Sequence, residues 1–227
     1  MIPKRALSLH SASFLLALAS CTTTYGDISI FWGGEAGASG YASDGVTLWD
    51  SSYIVELGWF DGGFQPTSSN INLWAAAWKP VDLASWTVSP TTYFSGTVVL
   101  TNNLTVPAGE AAYMWVRNAT TIGAATEWLL ATNETWLFPD TTGSDQTTAP
   151  LFWDLVSIPN FHDVPFGGIG DETDAQGGEW TPVAGGTYGY QTHSVPEPSG
   201  TLALAIPTAF AISTATRRRR TTRTHSA

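Results

Sequence analysis

Along most of this chain, apolar and polar residues alternate over short runs broken by Gly, Pro, Asn and Asp, which is the pattern of strands and turns. Ile28, Ile30 and Trp32 alternate with Ser29 and Phe31 as a first strand, which Gly33 and Gly34 stop. Residues 34–45 form a loop by composition, and a short strand is expected over 46–49. Residues 53–60 make the clearest strand, with Tyr53, Val55, Leu57 and Trp59 on one face at period two. The period then changes. Ile71, Trp74, Ala75 and Trp78 fall at i, i+3, i+4 and i+7, so the spacing predicts a helix over about 67–78. Thr67 or Ser68 would cap that helix, Pro80 would stop it, and Trp74 and Trp78 would be buried against a sheet. Strands resume at 93–100 and at 111–118, where Tyr113, Met114, Trp115 and Val116 are apolar on both faces and mark a central strand. Three more follow at 127–132, 135–138 and 151–158.

After Pro159 the pattern decays into Gly- and Asp-rich sequence with one last strand near 187–191. No repeat of 20–50 residues is visible, which excludes a solenoid or propeller. The fold class expected is therefore mainly β: a single antiparallel, β-sandwich-like domain with one short helix at about 67–78.

The two ends belong to another class of sequence. Lys4 and Arg5 precede an apolar run around Phe14 to Leu18, and Ala17-Leu18-Ala19 is a small-residue cleavage site, the layout of an export signal over residues 1–21. Leu18-Ala19-Ser20-Cys21 also fits a lipobox, in which Cys21 would be lipidated. Cys21 is the only cysteine, so no intramolecular disulfide can form. Four segments result: the signal (1–21), a β-rich domain (22–160), a Gly/Asp-rich loop segment (161–194) and a C-terminal tail (195–227). All 19 acidic residues lie within 22–197, against only Lys79 and Arg117 on the basic side, a net charge of −17 there. That balance excludes nucleic acid as a partner, because phosphate binding requires clustered Lys and Arg.

The tail has three parts in order. Val195-Pro196-Glu197-Pro198 is followed by a mostly apolar run over 201–216 and then by Arg217, Arg218, Arg219 and Arg220. In that order the tail resembles the PEP-CTERM sorting signal of exported bacterial proteins. The resemblance implies cleavage by an exosortase-type membrane peptidase, after signal peptidase has acted at the other end, and delivery to the cell surface or the extracellular polysaccharide matrix of a biofilm. The apolar run is 16 residues, roughly 24 Å of helix against a hydrocarbon core of ~30 Å. With Pro207 inside it, it suits a transient transmembrane span better than a permanent anchor. Val55-Glu56-Leu57-Gly58, Gly63-Phe64-Gln65-Pro66-Thr67, Ala112-Tyr113-Met114-Trp115 and Glu127-Trp128-Leu129-Leu130 are similar to β domains of such exported proteins in Verrucomicrobia-like bacteria. That likeness implies a β domain of unassigned activity and transfers no catalytic residue.

Candidate chemistry is sparse. His162 is the only histidine well inside the domain, in a proline-flanked loop, and reads as a surface residue. Glu56 and Glu127 each sit in an apolar strand and are the candidate carboxylate pair for glycoside hydrolysis, which needs two such groups about 5–10 Å apart in a cleft. Asp171, Glu172 and Asp174 offer hard oxygen donors that suit Ca²⁺, but their spacing matches no EF-hand loop, and a solvated acidic loop is the plainer reading. No catalytic residue and no cofactor is expected. The functional reading is a surface or matrix protein with a structural or adhesive role among exopolysaccharide. The alternative is a glycan-binding module that stacks sugars on exposed members of the 11 tryptophans, and a glycoside hydrolase comes third.

Overall fold

The run that is apolar on both faces becomes the middle of the largest sheet. In the computed structural model, which describes residues 27–89, 91–101, 106–142, 149–155, 163–182 and 188–196, β6 (Ala111–Arg117) lies between β3 (Ile54–Phe60) and β7 (Glu127–Leu137). This large sheet is completed by β4 (Trp78–Ser85) beyond β3, and by β13 (His193–Ser194) and β9 (Asp163–Phe166) on β7. A three-stranded sheet has β1 (Ile28–Gly34) between β5 (Ser95–Leu100) and β8 (Leu151–Leu155). A small sheet runs β11 (Ala175–Gly178), β10 (Gly168–Gly170), β12 (Gly189–Gln191) and β2 (Ser39–Tyr41).

Strand parity sorts the large sheet into two buried faces. Val55, Leu57, Met114, Val116, Leu129 and Ala131 point into a core shared with Ile30, Trp32 and Trp153 of the three-stranded sheet and Ile169 and Tyr190 of the small one. Phe60, Tyr113, Trp115, Trp128 and Leu130 point the other way, into a second cluster closed by Ile71 and Trp74. The lid over that second cluster is the predicted helix, in altered form. Thr67 caps it through a capping box with Asn70, as the sequence indicates, but Ser68–Leu73 consists of 3-10 turns broken by a kink at Asn70 (φ −117°, ψ 21°), and only Trp74–Ala77 (α1) are α-helical. Trp74 and Trp78 are both buried, as expected.

Several expectations are corrected. Trp78 does not end the helix but opens β4 in extended conformation. Lys79 precedes Pro80 and is thereby biased to extended backbone, and β4 is an edge strand with a bulge opposite Leu57 and Gly58, where a proline is tolerated. Residues 46–49 form no strand: Val46 and Leu48 are exposed, and Tyr41 and Leu48 make only an isolated bridge. Asn133 and Glu134 do not divide 127–138, because a register shift lets one 11-residue strand run through them. The architecture is not wholly antiparallel, since β1 pairs parallel with β8 and β2 pairs parallel with β12.

The segment 161–194, expected as a loop with one strand near 187–191, carries β9 to β13, of which β12 (Gly189–Gln191) is the expected strand. Its glycines serve close packing. Gly167 (φ 86°) adopts a left-handed conformation, and a Cβ there would sit 2.7 Å from the Gln191 carbonyl. No helix among the described residues is long and apolar enough to cross a membrane. Cys21, the apolar run 201–216, the arginines 217–220, Glu197, Pro198 and His162 lie outside the described residues.

Candidate functional site

The two strand carboxylates do not form a pair. Glu56 shares its face of the large sheet with Phe60 and Trp115, whereas Glu127 shares the opposite face with Leu129 and Ala131. Glu56 Oε1 receives the Arg117 guanidinium at 2.6 Å and its Oε2 accepts the Trp78 indole N–H at 2.8 Å. Arg117 is itself buried, 1% exposed, and its guanidinium lies 5.5 Å from the Trp115 ring centroid.

Glu127 is a junction between sheets. It accepts hydrogen bonds from the Ser43 hydroxyl (2.7 Å) and backbone N–H (3.2 Å), the Tyr53 hydroxyl (2.8 Å) and the Thr192 hydroxyl (2.8 Å). Ser43 follows β2 of the small sheet, and Thr192 lies between β12 and β13, so one carboxylate ties the small sheet to the large one. Burial pushes its carboxyl up, but the four donors outweigh that and hold it below the ordinary glutamate value. Its contribution to stability is therefore present above pH 4.5 and is lost as pH falls below it. Glu127→Gln will cost about 2 kcal/mol at neutral pH, the range for hydrogen bonds to a charged group. The difference from wild type will shrink at pH 3, and urea midpoints at the two pH values measure both effects.

The acidic loop turns inward on itself. Asp171 Oδ1 accepts from the Thr173 N–H, the Thr173 hydroxyl and the Asp174 N–H, an Asx turn that closes the loop between β10 and β11. Among the described residues no group of three His, Cys, Asp or Glu side chains is arranged to hold a metal ion.

All eleven tryptophans are at most 9% exposed, so the surface that was to carry stacked sugars on indole rings does not exist in this form. Indoles fill both cores, and many of their N–H groups are bonded inside: Trp32 to Asp82, Trp49 to the Tyr41 carbonyl, Trp74 to Asn70 and Trp180 to the Asp171 carbonyl.

The aromatic surface lies elsewhere, on the outer face of the three-stranded sheet. Phe31 and Phe152 are register partners on β1 and β8, 40% and 66% exposed, with ring centroids 5.3 Å apart and planes within 16°. The next outward row is Ser95, Gly33 and Asp154. With no side chain at Gly33, the row dips into a cleft of about 360 Å³ whose lining includes Phe31, Tyr93, Ser95, Thr97 and Asp154. Partial burial raises the Asp154 carboxyl above its ordinary value. Alternation in β1 already placed Phe31 opposite the core residues Ile30 and Trp32, which was the available signal for this face.

Of the residues expected to form a sorting motif, Val195 and Pro196 are described. The Val195 N–H donates to the Thr126 carbonyl at 2.8 Å, and its side chain packs against the second core. No known protein family, no curated protein and no solved structure matches this chain.

Proposed function

We propose that this chain is an exported protein, delivered to the cell surface or the extracellular polysaccharide matrix through its PEP-CTERM-like tail, where the β domain has a structural or adhesive role without altering the polysaccharide. One observation carries the reading: the last described strand, β13, pairs with Glu127 and Trp128 of β7 and ends at Ser194, directly before Val195-Pro196-Glu197-Pro198. A cut within or just after that motif would therefore leave every described strand on the released domain. The face-to-face placement of the large sheet against the other two supports a sandwich-like reading of the domain. Two features of charge agree with a partner that is not nucleic acid. The domain's two basic side chains are engaged, Lys79 with Asp61 at 3.4 Å and Arg117 with Glu56. The separation of Glu56 from Glu127 onto opposite faces also removes support from the hydrolase reading.

Intact-mass measurement of the protein recovered from its host's surface tests the proposal. The expected mature chain starts between Ala19 and Thr22 and lacks Arg217, Arg218, Arg219 and Arg220. A lipid-sized addition at Cys21, abolished in Cys21→Ser, would identify the lipoprotein route. Surface-located protein that keeps its arginines would overturn the reading.

A further inference from the structure

The outer face of the three-stranded sheet combines groups that seldom occur together on a surface meant only for water. Single exposed aromatics are ordinary, but two register-paired phenylalanines bordering a cleft with converging polar groups form a recognition surface. The rows read across the sheet are Thr97, Phe31 and Phe152, then Ser95, Gly33 and Asp154, with Tyr93 at the far end of the cleft. Phe31 and Phe152 supply an apolar ridge, Ser95 and Thr97 supply hydroxyls, and Asp154 is a carboxylate with no hydrogen-bond partner among the described residues. Gly33 leaves the depression open: a Cβ there would lie 2.7 Å from the Phe94 carbonyl and 3.4 Å from Ser95 Cβ.

We propose that this face binds a neutral polysaccharide, with the C–H face of a sugar ring on the Phe31–Phe152 ridge and ring hydroxyls donating to Asp154 and exchanging hydrogen bonds with Ser95. The ligand class follows from charge and shape. A pyranose is a ring with an apolar face and a hydroxylated rim, which matches an apolar ridge beside an acceptor. No Lys or Arg is among the described residues that line the cleft, and the domain's net charge of −17 repels an anionic chain. The choice of a polysaccharide rests on the extracellular placement proposed above, but the site itself does not.

Native affinity electrophoresis of the full-length chain tests this, in gels containing dextran, hydroxyethylcellulose or galactomannan as neutral probes and alginate as the anionic one. Retardation is expected with at least one neutral glycan and not with alginate. Phe31→Ala/Phe152→Ala should weaken that retardation at least tenfold, and Asp154→Asn should weaken it several-fold. Leu73→Ala, an exposed apolar residue on the opposite side of the large sheet, should leave it unchanged. Because Phe31 and Phe152 are 40% and 66% exposed and lie outside both cores, the double variant should keep the wild-type circular dichroism spectrum and a cooperative urea transition, which separates lost binding from lost folding. No retardation by any of the three neutral glycans, or retardation that survives the double substitution, overturns the proposal. So does concentration-dependent dimerisation in sedimentation that the double substitution removes, since the face would then belong to a second copy of the chain. An uncleaved tail in the mass measurement would defeat the delivery reading and leave this binding result standing.

Discussion

Glu56→Ala will destabilise the domain by about 3–5 kcal/mol, the cost of leaving one partner of a buried ion pair without the other. The reason lies in Arg117, which is 1% exposed on the central strand and has the Glu56 carboxylate as its ion-pair partner. Removing that carboxylate strands a guanidinium over the Trp115 ring beside Trp128, the register partner of Arg117, and also orphans the Trp78 indole N–H. Arg117 already has two buried nitrogens, Nε and Nη1, with no hydrogen-bond partner among the described residues, so little is left to compensate. Two further variants separate the charge effect from simple loss of packing. Glu56→Gln keeps an acceptor for Trp78 or Arg117 and should cost clearly less than alanine. Glu56→Leu/Arg117→Met removes both charges and should be more stable than Glu56→Ala, because a buried pair replaced as a unit leaves no unpaired charge. Urea unfolding followed by tryptophan fluorescence measures all three. A Glu56→Ala loss under ~1 kcal/mol would mean that Arg117 reaches water in solution.

How much of this was legible beforehand follows from what each region uses to specify itself. β3 was readable because its side chains alternate at period two, and β6 because it is apolar on both faces and therefore central. The lid was readable from Ile71, Trp74 and Trp78, although its backbone leaves the helix before Trp78. The indole stays in the same stripe, against Phe60 and Trp115, so the apolar spacing recorded the packing and not the backbone. Of the strands between 163 and 194, only β12 gave such a signal. They are two to four residues long, β10 to β12 are rich in glycine, and several pair through backbone with partners far away in sequence, as Gly189 does with Ser39. Composition there resembles a loop because close strand packing and loops both favour glycine.

The candidate sites show the same division. Glu56 and Glu127 stood out as carboxylates in apolar strands, yet which face each occupies depends on register with neighbouring strands, which one strand cannot reveal. Trp74 and Trp78 were expected in the core and lie there, whereas the alternative of an exposed tryptophan platform fails, because an indole serves equally well as core or as platform until burial is known. Gly33 reads in sequence as a strand terminator; in the folded sheet it is a position within β1 whose missing side chain makes the cleft.

The lid itself gives the second large effect. Trp74→Ala should cost about 3–5 kcal/mol, the usual range for emptying a large aromatic site. Trp74 is fully buried, stacks on Trp128 at 6.0 Å and meets Trp115 and Phe166 edge-on, so its removal opens the middle of the second core. Its N–H also bonds Asn70 at 2.8 Å, and the same Asn70 oxygen accepts the Thr67 N–H of the capping box. Losing the ring therefore frees both the packing beneath the lid and one of the contacts that shape its first turn. A lid of one 3-10 stretch and four α-helical residues is too short to hold itself helical, so its order depends on that packing. Trp74→Phe, which keeps most of the apolar contact and loses the hydrogen bond, should cost distinctly less. Leu73→Ala is the local control: Leu73 is 52% exposed on the same lid and should change stability by no more than ~0.5 kcal/mol. Hydrogen exchange will give the sharper readout, because in Trp74→Ala the amides of the 68–77 segment should lose protection before those of β3 and β6. Uniform loss of protection across lid and sheet would instead make the two a single cooperative unit, and a change within ~0.5 kcal/mol would remove Trp74 from the core altogether.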